Sequence, residues 1–189
     1  MKITSKQTYR VVSAMLRLKR FTQYQLGKET GVTFSLVNKV VNWFVSLGYV
    51  AKRTGYYEVI SPGAVFALFP LYRRMKPTAV FDVNISQKQV QQLVKGRGVL
   101  CLSSALSFYD DYYRDQVVYL YLKDEKLVEE LKRLPKGYAH IEVFKEDLNG
   151  QDFEKKNSQL ITNKVRTVID LFCAGKAYAA ERLIKKEWG

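Results

Sequence analysis

The stretch GVTFSLVNKVVNWFVSLGYVAKRTGYYEVI, residues 31–60, contains the signals of one helix followed by a β-hairpin. Gly31 is suited to end a preceding helix, and Thr33 is suited to cap the next one. We expect that helix to run to about Leu47, where Gly48 stops it. Two strand-like runs, residues 49–53 and 56–60, flank Thr54-Gly55, a pair typical of a tight turn. The stretch therefore predicts a turn, a helix and an antiparallel hairpin in direct succession.

The predicted helix has one apolar and one polar side. Its apolar stripe, at a period of 3.6 residues, comprises Phe34, Val37, Val40, Val41 and Phe44. The polar positions form a single narrow face: Ser35, Asn38, Lys39, Asn42 and Ser46. A solvated helix face usually carries Glu and Lys, whereas asparagine and serine lower the helix propensity. Hydrogen bonding to base edges explains this composition better, since asparagine can pair bidentately with adenine.

Two further helices precede this one. Apolar periodicity predicts the first over residues 6–20, and the capping-box sequence Thr22-Gln23-Tyr24-Gln25 begins the second. Three helices and a basic hairpin are the order of a winged helix-turn-helix, in which the third helix enters the major groove. We expect DNA contacts from Thr33, Ser35, Asn38, Lys39 and Asn42 on the helix, and from Lys52, Arg53, Thr54 and Tyr56 on the hairpin. The alternative is a winged fold used only for protein contact.

The formal net charge of +13 is concentrated in the first part of the chain. Residues 1–80 contain 13 lysines and arginines against two acids, Glu29 and Glu58, whereas residues 81–189 contain 18 against 16. Such a basic module is typical of a protein that binds a polyanion. No window approaches the ~18 consecutive apolar residues of a membrane-spanning helix, and the N-terminus lacks a signal-peptide pattern. Double-stranded DNA is therefore the expected partner, and a membrane is not.

The cysteines bear on the compartment. Cys101 and Cys173 are 72 positions apart and belong to no C-x-x-C pair. They predict neither a disulfide framework nor a zinc ribbon, but two buried thiols in a reducing environment. We therefore expect a cytoplasmic protein with no bound metal and no cofactor.

Residues 61–77 are expected to form a connecting helix and a linker. Ser61-Pro62 is a helix-start signal, and the run from Gly63 to Met75 is unusually apolar, with a kink or an end at Pro70. A helix that is apolar on more than one side either lies between two domains or pairs with its copy. The 61–75 helix is therefore also a candidate homodimer contact.

From residue 78 the chain alternates between strand and helix patterns. Strands are expected at 78–85, 98–102, 116–122, 140–144 and 159–162, and helices at 87–94, 104–109, 126–134 and 164–188, the last with an interruption at Gly175. This order predicts a small α/β domain with a mixed sheet. The predicted fold class is thus α+β, with a winged helix-turn-helix at 1–60, the connection at 61–77 and the α/β domain at 78–189.

The α/β domain offers little catalytic chemistry. Its histidine, His140, is the only one in the sequence, so neither a two-histidine metal site nor a conventional triad with a spare histidine can be built. Glu142 and Lys145 resemble part of a nuclease motif, but residues three apart on a strand point to opposite faces. We do not expect an enzyme.

The C-terminal segment carries a family resemblance. Residues 159–162 read as a strand, and Arg166-Thr167-Val168-Ile169-Asp170-Leu171 and Ala179-Ala180-Glu181-Arg182-Leu183 follow as helical motifs. They resemble those of the AbiEi family, the transcriptional regulators and antitoxins of type IV toxin-antitoxin systems. The resemblance in architecture covers the whole chain, and the motif match covers about the last 30 residues.

The resemblance implies a non-enzymatic protein that represses its own promoter and counters a partner nucleotidyltransferase toxin. Residues 78–189 would then be the antitoxin domain. Arg166 and Asp170 lie four residues apart on one helix, where an ion pair is the ordinary explanation. The alternative function is that of a one-component regulator whose second domain senses a ligand or a protein and shifts the affinity for DNA.

Overall fold

The computed structural model describes residues 1–113, 115–122, 124–148 and 152–189. Within these ranges the chain divides into two compact units, a first unit of residues 1–73 and 184–189 and a second unit of residues 74–183. The first unit contains a three-stranded antiparallel sheet, and the second contains a six-stranded mixed sheet. The predicted α+β class and the mixed sheet are confirmed. No helix in the described ranges has both the length and the apolar character needed to cross a bilayer.

Residues 1–73 of the first unit form three helices, a hairpin and a further short helix. Its elements are α1 (Lys6–Leu18), β1 (Arg20–Phe21), α2 (Gln23–Thr30), α3 (Phe34–Ser46), β2 (Val50–Arg53), β3 (Tyr56–Val59) and α4 (Pro62–Ala67), followed by a 3₁₀ turn at Phe69–Leu71. Helix α1 packs on α2 and α3, and their buried side chains include Met15, Leu26, Val37 and Phe44. The strand order is β1-β3-β2. Strand β1 was not predicted, because two residues carry no periodicity.

The second unit alternates strands and helices. Its elements are β4 (Ala79–Val83), α5 (Gln87–Val94), β5 (Gly98–Leu100), α6 (Leu102–Leu106), β6 (Val117–Leu122), α7 (Glu125–Arg133), β7 (Ala139–Phe144), β8 (Phe153–Lys156), β9 (Gln159–Thr162) and α8 (Lys164–Cys173), then a 3₁₀ turn at Ala177–Ala180. The last helix, α9 (Glu181–Trp188), begins in the second unit, and from residue 184 it is counted in the first unit. The sheet order is β4-β7-β6-β5-β9-β8, with parallel pairing of β6 with β7 and of β5 with β9. Strand β8 was missed because its sequence is charged, as is common for an edge strand.

Local sequence signals set the ends of the second and third helices. The Thr22 hydroxyl accepts a hydrogen bond from the backbone N–H of Gln25 at 3.1 Å. In return, the side-chain oxygen of Gln25 accepts one from the backbone N–H of Thr22 at 2.8 Å. This is the predicted capping box. Gly31 ends α2 with a left-handed φ of 65°, a conformation that costs glycine little. Thr33 occupies the N-cap position of α3, but its side chain makes no capping hydrogen bond.

The helix predicted after Ser61-Pro62, with a kink or an end at Pro70, is present as α4, which ends at Ala67 and does not continue to Met75. A proline cannot donate a backbone hydrogen bond and disfavours the helical conformation of the residue before it. Pro70 therefore lies in a short 3₁₀ turn rather than in a continued α-helix.

The apolar side chains of this segment are covered within the first unit. The Phe66 ring meets the Trp188 ring edge-on, with centroids 5.3 Å apart, and Phe69 meets Tyr9 in the same way at 6.1 Å. The Trp188 indole also donates to the Leu16 carbonyl at 2.6 Å. Residues 61–73, expected to connect two domains, thus form part of the first unit together with the last six residues of the chain.

Helix α8 buries an arginine among acidic groups. Arg166 is 0% exposed, and its Nε donates to Asp170 Oδ1 at 2.8 Å. Its Nη atoms donate to the Tyr121 hydroxyl at 2.9 Å, to Glu146 at 3.2 Å and to Asp147 at 3.3 Å. The ion pair predicted between Arg166 and Asp170 is therefore present. Burying these charges is costly, and only a nearly complete set of partners offsets that cost.

Arg166→Met should destabilise the fold by about 3 to 5 kcal/mol, because the buried Asp170 carboxylate loses its guanidinium. Asp170→Leu should cost a similar amount, and the double variant should cost much less than the sum, since neither charge is then left behind. Urea unfolding of the full chain, followed by circular dichroism, measures the three losses. Lys132→Met, at the exposed ion pair with Glu129, is the control and should change stability little. Additive losses at Arg166 and Asp170 would contradict this coupling.

Candidate nucleic-acid interface

Helix α3 separates its apolar and polar residues cleanly along most of its length. Val37, Val40, Val41 and Phe44 are fully buried. The side chains of the polar face are exposed: Ser35, Asn38, Lys39, Asn42 and Ser46. The face predicted to be polar is therefore turned to solvent, where a ligand can reach it.

Phe34 does not belong to the buried stripe, so that part of the sequence prediction was wrong. Its side chain is 61% exposed. Phe34 is the first residue of α3, and a helical side chain leans toward the N-terminus, where here no preceding turn exists to cover it. Spacings of four residues place Phe34, Asn38 and Asn42 in one column along the helix.

Three amide side chains form a hydrogen-bonded cluster on the exposed face. Asn38 Oδ1 accepts from Asn42 Nδ2 at 2.8 Å and from Gln23 Nε2 at 3.0 Å. Gln23 Nε2 also lies 3.3 Å from the Tyr57 hydroxyl. Gln23 is the first residue of α2 and Tyr57 lies on β3, so the cluster joins α2, α3 and the hairpin.

The hydrogen bonds within the cluster use some of the polar atoms of Asn38 and Asn42 and leave others available to a ligand. One end of the Asn38 amide already serves two partners, which leaves the other end for a ligand. Asn42 uses a single N–H for Asn38 and keeps its oxygen and second N–H. The bidentate pairing with adenine needs both ends of the amide, so Asn42 is better suited to it than Asn38.

The hairpin arginine predicted to contact DNA is tethered by a carboxylate. Glu58 on β3 accepts from Arg20 Nε of β1 at 2.7 Å and from Arg53 Nε of β2 at 3.2 Å. The hydrogen bond from Arg20 is the main reason that the pKa of Glu58 lies below its usual value, and Arg53 lowers that pKa further. One carboxylate thus orders two guanidinium groups across all three strands.

The hairpin residues predicted to contact DNA do not all lie next to the amide cluster of α2 and α3. Arg53 pairs with Tyr56 in the β2–β3 register, and Lys52 pairs with Tyr57. Because side chains alternate along a strand, Tyr56 and Glu58 share one face, and Tyr57 lies on the other, stacked on Phe21 at 6.0 Å. The remaining predicted residues are exposed: Thr33, Ser35, Lys39 and Thr54.

Sequence reasoning missed Gln23, Tyr57, Arg20 and the exposure of Phe34. Gln23 carried a usable signal, since the capping box employs Thr22 and Gln25 and leaves the side chain between them available. Phe34 also carried one, since it lies four residues before Asn38. Arg20 and Tyr57 join the site only through strand register, which no local pattern reports.

The charge around this face is strongly positive. The first unit contains 13 lysines and arginines against three acids, Glu29, Glu58 and Glu187. Glu29 is paired with Arg17, and Glu58 with Arg20 and Arg53. Most of the basic side chains are exposed: Lys2, Lys6, Arg17, Lys19, Arg20, Lys28, Lys39, Lys52, Arg53, Lys185 and Lys186. The unit therefore presents a positive surface to which a polyanion is attracted.

The second unit contains a partly open cavity of about 290 Å³, and most of the residues that line it have polar side chains. Its walls come mainly from α5, α6 and the start of β6: Gln87, Lys88, Gln91, Ser103, Ser104, Ser107, Asp111, Asp115, Val117 and Val118. Within the described ranges, no three or more His, Cys, Asp or Glu side chains are grouped so that they could hold a metal ion. Serine hydroxyls and glutamine amides suit this cavity to a small polar molecule.

A charged cluster fixes one wall of the cavity. Lys176 Nζ donates to Asp115 Oδ2 at 2.7 Å and to the Tyr119 hydroxyl, and that hydroxyl donates to Asp115 at 2.9 Å. Burial alone would raise the pKa of Asp115, but the hydrogen bonds from Lys176 and Tyr119 outweigh it and lower that pKa. Burial opposes the charge of Lys176, yet these partners raise its pKa above the usual value. Lys176 therefore stays protonated and is unsuited to act as a general base.

The chain has no significant match to a protein-family model, to a curated protein or to a solved structure.

Arg20→Ala should raise the pKa of Glu58 toward its ordinary value, and more so than Arg53→Ala, because the hydrogen bond from Arg20 is the shorter one. The folded-state pKa of Glu58 lies below that of the unfolded chain, so these contacts stabilise the fold above the ordinary glutamate pKa. That stabilisation is lost as the pH falls through the depressed value. Carboxyl-resolved NMR titration measures the shift.

Arg17→Ala is the matched control, because Arg17 pairs with Glu29 and not with Glu58. It should leave the Glu58 titration unchanged. A Glu58 pKa that does not respond to either Arg20 or Arg53 would show that the bridge does not persist in solution.

Proposed function

We propose that the protein is a DNA-binding transcriptional regulator whose first unit is a winged helix-turn-helix. The observation that carries this proposal is the exposed face of α3, on which hydrogen bonds preorder Asn38 and Asn42 in a unit with a large excess of basic residues. Amide side chains on an exposed helix face suit base edges in the major groove. A surplus of positive charge around them suits the phosphates.

The parts of the first unit take separate roles in this proposal. Helix α3 enters the major groove, and Gln23 sets its asparagines relative to α2 and β3. The β2–β3 hairpin is the wing, and Lys52, Arg53 and Thr54 at its tip meet the phosphate backbone. Glu58 holds Arg53 and Arg20 in place before DNA binds, which lowers the entropy lost on binding.

For the second unit we propose an antitoxin role against a partner nucleotidyltransferase, together with repression of the protein's own promoter. The support is the resemblance of residues 166–171 and 179–183 to motifs of the AbiEi family. The buried contact between Arg166 and Asp170 gives the first motif a structural role, that of holding α8 against β6 through Tyr121. This buried contact does not by itself explain how the toxin is neutralised. Neutralisation would require another, exposed surface of the second unit.

A second candidate is a one-component regulator whose second unit binds a small ligand and changes the affinity of the first unit for DNA. The cavity beside α5 and α6 favours this candidate, since its size and lining suit a small polar molecule.

Binding of the full chain to duplex DNA should weaken steeply with salt. If α3 and the wing neutralise about five phosphates, the slope of log K against log salt should lie near -4 to -5. Arg53→Ala should weaken binding to all sequences and make the slope shallower by about 1, because one phosphate contact is lost. Fluorescence anisotropy with a selected duplex and a scrambled one measures both effects.

Asn42→Ala is the paired variant for this experiment. It should cost about 1 to 3 kcal/mol on the selected duplex and little on the scrambled one, with an unchanged salt slope, because it removes a base contact. A flat salt dependence of the wild-type chain would refute DNA binding through this surface. Equal losses on both duplexes would make Asn42 a phosphate contact.

The two activities should separate in cells. The double variant Asn42→Ala, Arg53→Ala should fail to repress the promoter yet still protect, at least in part, cells that express a neighbouring nucleotidyltransferase. Both substitutions are at exposed positions of the first unit and leave the second unit unchanged. Reporter expression and cell survival, with the variant made from an unrelated promoter, measure the two effects.

Point substitutions suit this experiment better than truncation, because the last six residues of the chain belong to the first unit. Loss of repression and protection together would mean that neutralisation works through repression. That result would favour the second candidate function, a one-component regulator whose second unit binds a ligand.

A further inference from the structure

Phe34 is an exposed aromatic residue in a column of hydrogen-bonding residues. Its side chain is 61% exposed at the first position of α3, one turn before Asn38 and two turns before Asn42. Thr33, just before it, is exposed and makes no capping bond with its side chain. The N-terminal end of α3 therefore presents an apolar ring, and the following turns present amides.

We infer that Phe34 contacts the C5-methyl group of a thymine in the major groove. This inference rests on the proposed DNA-binding function and adds to it a chemical requirement on the bound sequence. In a helix that docks in the major groove, the N-terminal residues approach the base edges. Thymine is the base that presents an apolar group there, and a phenylalanine ring is a suitable partner for it.

The column also fixes where that thymine lies. Phe34 and Asn38 are four residues apart, which is about 6 Å along a helix at about 1.5 Å per residue. A recognition helix can enter the major groove at an angle, and residues about three apart on such a helix contact successive bases. The thymine read by Phe34 is therefore about one to two base pairs from the base that Asn38 contacts.

The same contact excludes double-stranded RNA as the main ligand of this face. Uracil lacks the C5-methyl group, and the major groove of an RNA duplex is too deep and narrow for side chains to read. The first unit should therefore prefer duplex DNA that contains thymine to duplexes that contain uracil.

The test removes single methyl groups from the DNA. Duplexes bound by the full chain are first enriched from a random-sequence pool. The enriched site is then resynthesised with deoxyuridine in place of each thymine in turn, and binding is measured by anisotropy. At one or two positions the wild-type chain should bind the uracil duplex about fourfold more weakly, the value of one buried methyl group.

Variants assign this effect to the ring. In Phe34→Ala the ratio between thymine and uracil duplexes should fall to about one at those positions, and Phe34→Leu should keep part of the preference. Tyr138→Ala, which removes an aromatic residue 76% exposed in the second unit, should keep the full ratio. Circular dichroism of each variant checks the fold, which substitutions of exposed residues should leave intact.

The outcomes separate this inference from the function on which it rests. A chain that binds no duplex DNA refutes the DNA-binding function and this inference with it. A chain that binds DNA but enriches no sequence, or binds uracil and thymine duplexes equally, overturns the inference alone. Retention of the wild-type ratio in Phe34→Ala also overturns it, because another group then reads the methyl.

Discussion

Gln23 links the elements of the first unit that must act together. From the first position of α2, its amide reaches Asn38 on α3 and the Tyr57 hydroxyl on β3. The Asn38 oxygen also accepts from Asn42, so one small network sets the asparagine amides relative to each other and to the hairpin. Exposed side chains lose rotamer freedom when they bind, and a network that orders them beforehand reduces that loss. The proposed reading of base edges depends on this order.

Electrostatics complements the network. The acids of the first unit are few, and two of them are paired with arginines. At Glu58 the pairing leaves a net positive group, since one carboxylate faces two guanidinium groups. The arrangement therefore keeps Arg20 and Arg53 in defined positions without cancelling their positive charge.

The second unit places its charges differently. Arg166 is buried, and its guanidinium is held by Asp170, Glu146, Asp147 and the Tyr121 hydroxyl. A buried charge network of this kind adds little net stability, but the loss of one member is costly. Because Arg166 on α8 donates to Tyr121 on β6, the network restricts how α8 can pack on β6. Arg166 and Asp170 therefore have a structural role within the second unit.

Local sequence determined much of this protein. The capping box at Thr22, the left-handed glycine at Gly31 and the periodicity of α3 were sufficient to place the helices around the site, because backbone geometry and the burial of one helix face act over a few residues. The polar face of α3 could be listed from the sequence for the same reason.

Only the tertiary structure decided the contacts that join distant segments. Strand β1 exists through its pairing with β3, Gln23 enters the site through Asn38 and Tyr57, and Trp188 joins the first unit by packing on Phe66. Phe34 fits the apolar stripe by period, yet it is exposed because no turn precedes it and nothing else covers it. Side-chain burial and strand register depend on which surfaces meet in space, and a period along one helix does not contain that information.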